Sequence, residues 1–151
     1  MTYLVDTSIL ARLANAADVS HAVATRAVLE LHRGGAALHI TPQNLVEFRN
    51  VATRPLSLNG LGLTPADAEA KAAIFETVFP LLAETPDIYP GWKVVVEALG
   101  MVGKQVHDAR LIAVCHVYQV THLLTFNVAH FTRMSSFGPG IVVVDPATVS
   151  G

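Results

Sequence analysis

Three features of the 151-residue sequence predict a three-layer α/β/α domain with a central, mostly parallel β-sheet. Short apolar runs at Tyr3–Val5, Ala37–Ile40, His122–Phe126 and Ile141–Val144 are continuous rather than alternating, which suits strands buried on both faces of a parallel sheet. Segments of helical spacing lie between them, as parallel connections require. A hydrophobic content of 52% lets residues 1–151 read as one domain, burying roughly two-thirds of the surface its unfolded chain exposes.

The elements follow in order. After the first strand, helical spacing runs from Ser8 to Asn15 and again from Ala22 to His32. The second strand ends at Thr41-Pro42, a hydroxyl N-cap with proline in the first turn, where its missing N–H costs nothing; a helix to Arg54 follows. Arg54 to Gly62 is turn-rich and partly apolar, the composition of a loop packed within the domain. Thr64-Pro65 repeats the cap signal and opens a helix expected to reach Leu82. Ile88-Tyr89-Pro90 reads as an edge strand, since proline cannot donate to a central ladder. Helices are expected over Trp92–Leu99 and Asp108–Tyr118, and Gly138-Pro139-Gly140 is the turn before the last strand.

Composition narrows the functional classes. Charged residues make up 15% of the chain, the net charge is −2, and the pI is about 6.4, so no overall basic field draws nucleic acid or a membrane. Arg12, Arg26, Arg49, Arg54 and Arg133 are scattered and outline no groove. Cys115 is the lone cysteine, on an apolar helix face where a packed thiol is expected. With no secretion-type N-terminus and no apolar run of roughly 18 residues, a soluble cytoplasmic protein without a membrane span is expected. The histidines form neither an HExxH pair nor a Cys/His spacing, which argues against zinc.

Four polar residues stand out against the apolar pattern. Asp6 ends the first strand, at the sheet edge where open α/β folds bind ligands. Glu47 lies within the helix after the second strand, Asp108 opens a helix, and Asn127 follows the third strand. Each has an ordinary reading as a cap, a turn residue or part of a solvated helix face. Asp108 shares a helix face with Leu111, Ile112 and Cys115, which turns it toward the sheet. Three carboxylates and an amide gathered at one edge repel one another unless a cation sits between them, and an oxygen-only set selects Mg²⁺ or Mn²⁺.

The stretches "LVDTSIL", "TPQNLVEF", "VHDARLIA" and "LLTFNVAHF" resemble, in order and over nearly the whole chain, the four motifs of PIN domains, specifically VapC-type toxin ribonucleases. The resemblance implies a Mg²⁺-dependent endoribonuclease, with Mn²⁺ able to substitute, acting as the toxin of a toxin–antitoxin pair. It implies Asp6, Glu47 and Asp108 as metal ligands. Asn127 stands at a fourth catalytic position where many relatives carry Asp. Thr7, Ser8 and Thr125 match supporting polar positions. Apart from the resemblance, His107, Lys104, Arg110 and His130 fall near the same edge, where they either contact RNA phosphates or are ordinary solvated side chains. A small antitoxin partner and a homodimer are further expectations. No residue pattern separates a toxin from an RNA-processing enzyme of the same kind. Other classes share part of the signal: a haloacid-dehalogenase-like phosphatase, which needs a second Asp where Ser8 stands, and a noncatalytic binding module.

Overall fold

Four short strands pair in parallel throughout: β1 (Thr2–Val5), β2 (Ala37–His39), β3 (His122–Leu124) and β4 (Val142–Val144), in the spatial order β2-β1-β3-β4. The structure is a computed structural model describing residues 1–151. Seven α-helices cover the two faces: α1 (Thr7–Leu13), α2 (His21–Arg33), α3 (Pro42–Thr53), α4 (Pro65–Val78), α5 (Ile88–Leu99), α6 (Gln105–Tyr118) and α7 (Val128–Ser135). This is the three-layer arrangement that the apolar runs predict.

Successive residues of a strand point to opposite faces, and the core divides accordingly. Tyr3, Val5, Leu38 and Leu124 join Phe48, Phe75 and Phe79 in one cluster, beneath α1 to α4. Leu4 and Leu123 point the other way, into a cluster with Leu111, Ile112, Cys115 and Phe131 beneath α5 to α7. Cys115 is fully buried, and burial pushes its thiol up to about 12, so it packs as a small apolar group. No helix is long and apolar enough to cross a membrane.

The caps at Thr41 and Thr64 form as expected: each hydroxyl accepts the backbone N–H three residues on, at 3.1 Å. Four expectations need correction. Ile88-Tyr89-Pro90 is not an edge strand but the first turn of α5, where proline's missing N–H is equally harmless. α4 stops at Val78 because residues 80–82 run beside β2, with Leu82 N–H donating to Ile40 O at 2.8 Å and Leu81 bridging Ile40 in parallel. α6 begins at Gln105, so Asp108 is its fourth residue and does not open it. The sequence reading holds no helix between β3 and β4, yet α7 stands there, its short span anchored by buried Phe131 and Met134.

The loop after α3 folds back as a packed segment containing a single 3-10 turn, Leu56–Leu58. Backbone bonds from Gly62 to Arg54, Leu61 to Val51 and Leu63 to Ala52 hold it against the helix end. Gly60 makes this possible, since a Cβ there would stand 1.9 Å from the carbonyl oxygen of Arg54. Gly60→Ala must therefore displace the loop, at a cost of about 1–3 kcal/mol. A thermal melt should show a fall of several degrees, whereas an unchanged melt would mean that the loop is not held against α3.

Candidate active site

The carboxyl ends of β1 and β3 are neighbours in the sheet, Val5 being paired with Leu124, so the residues that follow, Asp6 and Thr125, meet across 119 positions of sequence. Asp6 is also the N-cap of α1, and its Oδ2 takes every side-chain hydrogen bond the carboxylate makes. Thr125 Oγ1 donates at 2.7 Å, Ser8 Oγ at 2.8 Å and the Ser8 N–H at 3.4 Å. The side chain is only 5% exposed. A buried carboxylate needs such donors, and concentrating them on one oxygen leaves Oδ1 free.

Ser8 and Thr125 also hold the next loop. Ser8 Oγ accepts the Phe126 N–H at 3.1 Å, and Thr125 Oγ1 accepts the Asn127 N–H at 2.9 Å. Asn127 is thereby fixed through its backbone at the N-cap of α7, while its amide side chain makes no capping bond and is exposed. Thr7 reaches in the other direction. Its hydroxyl donates to Glu47 Oε2 at 3.1 Å and accepts from Asn44 Nδ2 at 3.1 Å. Asn44 is in turn locked by Thr41, whose N–H and hydroxyl both donate to Asn44 Oδ1 at 2.9 Å. Gln43 Nε2 donates to Glu47 Oε1 at 2.7 Å and to the His107 carbonyl at 2.9 Å, which ties α3 to α6.

A cleft of about 340 Å³ at this sheet edge is lined by Asp6, Glu47, Asp108 and Asn127, with Arg12 and Lys104 beside them. All four residues singled out by sequence thus face one hollow. Asp108 accepts no hydrogen bond from any side chain. Its carboxyl is raised to about 6, first by burial and then by the negative charge of Asp6, with Glu47 adding to it; His130 and His107 pull the other way. The N-terminus of α6 also favours the ionised form, yet burial and like charge prevail. Asp108 is not the cap of its helix, so its ordinary reading as a cap is removed.

The remaining expectations divide. His107 borders an adjoining hollow of about 480 Å³ that shares Thr7, Glu47, Lys104 and Asp108 with the cleft, and His130 borders another of about 260 Å³ beside Asp108. Arg110 is turned elsewhere: its guanidinium grips Glu84 through two bonds, at 3.0 and 2.5 Å, and does not line the acid cleft. Arg12, one of the scattered arginines of the sequence, does line it, held over the Phe126 ring at 5.3 Å with Nη1 donating to Ser8 O at 3.4 Å. Helical spacing was a signal for this, since Arg12 follows Ser8 by four residues. Gln43 and Asn44 had no such signal.

The chain matches the PIN domain family over residues 3–135. It belongs to that family. PIN domains are nucleases. No curated protein matches the chain in sequence. Among solved structures, it resembles VapBC2 from Rickettsia felis bound to a DNA fragment from their promoter, with TM-score 0.69 and 17% identity over 96% of this chain and 98% of that one. DNA-bound VapBC from Salmonella typhimurium is similar at TM-score 0.68 and 17% identity, covering 97% and 98%. VapC20 from Mycobacterium tuberculosis, a sarcin-ricin loop cleaving toxin, is similar at TM-score 0.58 and 24% identity, covering 80% and 86%.

The donor set of this PIN domain is all oxygen and negatively charged, which fits a hard divalent cation. No three histidine, cysteine or acidic side chains stand close enough together to hold one ion. Asp6 is fixed by three hydrogen bonds and Glu47 by two, whereas Asp108 has none, so its carboxylate is the least constrained of the three.

The raised carboxyl of Asp108 gives a stability prediction. It binds its proton more tightly folded than unfolded, so native stability falls as pH climbs from the ordinary 3.8 to about 6 and stays reduced above. Asp108→Asn removes this loss. In chelator the variant should melt above the parent protein at pH 7, with the gap closing below pH 4. A gap independent of pH would show that the charge of Asp108 is not strained by its neighbours.

Proposed function

We propose that this PIN domain is an endoribonuclease dependent on Mg²⁺ or Mn²⁺ and that it serves as the toxin of a toxin–antitoxin pair. One observation carries the enzymatic reading: Asp6, Glu47 and Asp108 line a single cleft in which Asp108 resists ionisation, first because it is buried and then because the other two acids are near. A group of acids that oppose one another's charge is a group suited to a cation.

In this reading Asp6 through its free Oδ1, Glu47 and Asp108 would hold the cation once drawn together, and Asn127 would add an uncharged oxygen. The bound metal would supply a water of lowered pKa and neutralise charge gathering on the phosphate oxygens. The chain's own residues do the positioning. Ser8 and Thr125 fix the direction in which Asp6 presents its free oxygen, and Thr7 with Gln43 fixes Glu47. Arg12 and Lys104 place positive charge beside the acids, where a phosphodiester would need it. Hydrolysis adds water across one P–O bond, leaving a phosphate on one product and a hydroxyl on the other.

The toxin role draws on the relatives: two of them are VapBC assemblies on DNA, and a third is a sarcin-ricin loop cleaving toxin. An antitoxin is accordingly the proposed protein partner. The phosphatase alternative is disfavoured by Ser8, whose hydroxyl donates to Asp6 and so occupies the place of the second acid that such chemistry needs.

Purified protein should cut single-stranded RNA in Mg²⁺ or Mn²⁺, stop on chelation and leave simple phosphomonoesters intact. Cleavage that survives chelation would refute the metal, and phosphomonoester turnover without RNA cleavage would favour the phosphatase.

Asn127→Asp tests the fourth position. A carboxylate is a better ligand than an amide for a hard cation, so Mn²⁺ affinity should rise. Calorimetric titration of both proteins decides the point, because equal affinities would place Asn127 outside the metal's ligands.

A further inference from the structure

Beyond the acid cleft, a hollow of about 230 Å³ opens between α5 and α6, with Tyr89 and Trp92 at one side and His107 and Arg110 at the other. The two rings are stacked, centroids 5.7 Å apart and planes 26° from parallel. Trp92 Nε1 donates to the Val106 carbonyl at 2.7 Å, which fixes the indole in place. Tyr89 is 62% exposed, although Ile88 and Val95 on the same helix are buried. A rigid aromatic pair held open to water in this way is poised for a flat partner.

A second hollow lies between this one and the acid cleft and shares lining residues with both. His107 borders both this hollow and the larger one that contains Glu47 and Asp108. Lys93 lies with its Nζ 5.9 Å from the Tyr89 ring centre, and Lys104 stands between the acid cleft and its neighbour. Neither lysine is in a salt bridge, whereas Arg110 is neutralised by Glu84. Free positive charge thus flanks a path from the acids to the aromatic pair. That is the pattern of single-strand binding, in which cations track the phosphates and aromatic rings stack the bases.

We propose that Tyr89 and Trp92 form a stacking platform for an unpaired base of the RNA strand whose phosphodiester lies in the acid cleft, an inference that rests on the nuclease reading. The platform selects single-stranded RNA, because a base inside a duplex already has both faces covered. Tyr89 supplies the open ring face. Trp92 backs it, and Lys93 swings from the ring to an adjacent phosphate.

Trp92 is the only tryptophan of the chain, so its fluorescence reports directly on the platform. The full chain in chelator is titrated with a single-stranded RNA of roughly eight nucleotides, an abasic ribose-phosphate strand of equal length, and an RNA duplex. Binding is followed in parallel by anisotropy of an end label. The single strand should quench Trp92 and the other two should not. Tyr89→Ala should weaken single-strand binding roughly ten-fold, and Tyr89→Phe, which keeps the ring, should restore it. Equal quenching by the abasic strand, or undiminished binding by Tyr89→Ala, overturns the platform. So does a Tyr89→Ala variant that dissociates a dimer in sedimentation without altering RNA affinity, because the rings then belong to an interface between copies. RNA cleavage in Mn²⁺ without base-dependent quenching removes the platform and leaves the nuclease reading intact. Base-dependent quenching without cleavage shows the stacking but overturns the nuclease reading, and with it the placing of the strand's phosphodiester in the acid cleft.

Discussion

The parallel pairing of β1 with β3 is the constraint from which the site is built. It sets Val5 against Leu124, and so places a carboxylate and a hydroxyl side by side at the end of the two central strands. Parallel strands all finish at the same edge, which is why one register brings together residues from distant parts of the chain. A shift of one residue would turn Leu4 and Leu123 toward the wrong cluster, so the apolar core on both faces enforces the pairing that the polar edge needs.

Burying Asp6 there is costly, and the cost is met locally. Ser8 and Thr125 are hydroxyl donors that bring no charge of their own, and each also accepts a backbone N–H from the loop beyond β3. The same two hydroxyls therefore stabilise the carboxylate, orient it and fix the entry to α7. A hydroxyl both donates and accepts, and this dual capacity lets a small network satisfy several buried groups at once. Glu47 is held by an analogous relay through Thr7, Asn44 and Thr41. Asp108 is left without such help, and its high proton affinity records the imbalance. An acid that stability alone would have paired or removed is a mark of function.

Much of this was legible in the sequence. Continuous apolar runs follow from strands buried on both faces, and the hydroxyl-proline pairs at Thr41 and Thr64 announce helices because their capping chemistry is local. Asp6 and Asn127 could be singled out because each stands just beyond a strand end, and Glu47 and Asp108 because each is an acid set among apolar residues of a helix. Other elements were not legible for equally definite reasons. Proline at position 90 is compatible with an edge strand and with a helix's first turn, and local chemistry does not separate them. α7 has only two fully buried anchors, Phe131 and Met134, too few to announce a helical face. The end of α4 depends on residues 80–82 pairing with Ile40, a contact between remote segments.

By itself, then, the sequence determined the layers, the parallel sheet, the edge at which polar residues collect, and an oxygen-only chemistry at that edge, because periodicity, capping and residue type are properties of neighbours along the chain. Only the tertiary structure decided which oxygen of Asp6 is held and which is free, and that Arg12 enters the cleft while Arg110 turns to Glu84. It also decided that Asp108 keeps its proton to about pH 6. These depend on desolvation and on distances between side chains tens of residues apart, which are fixed only when the helices pack onto the sheet.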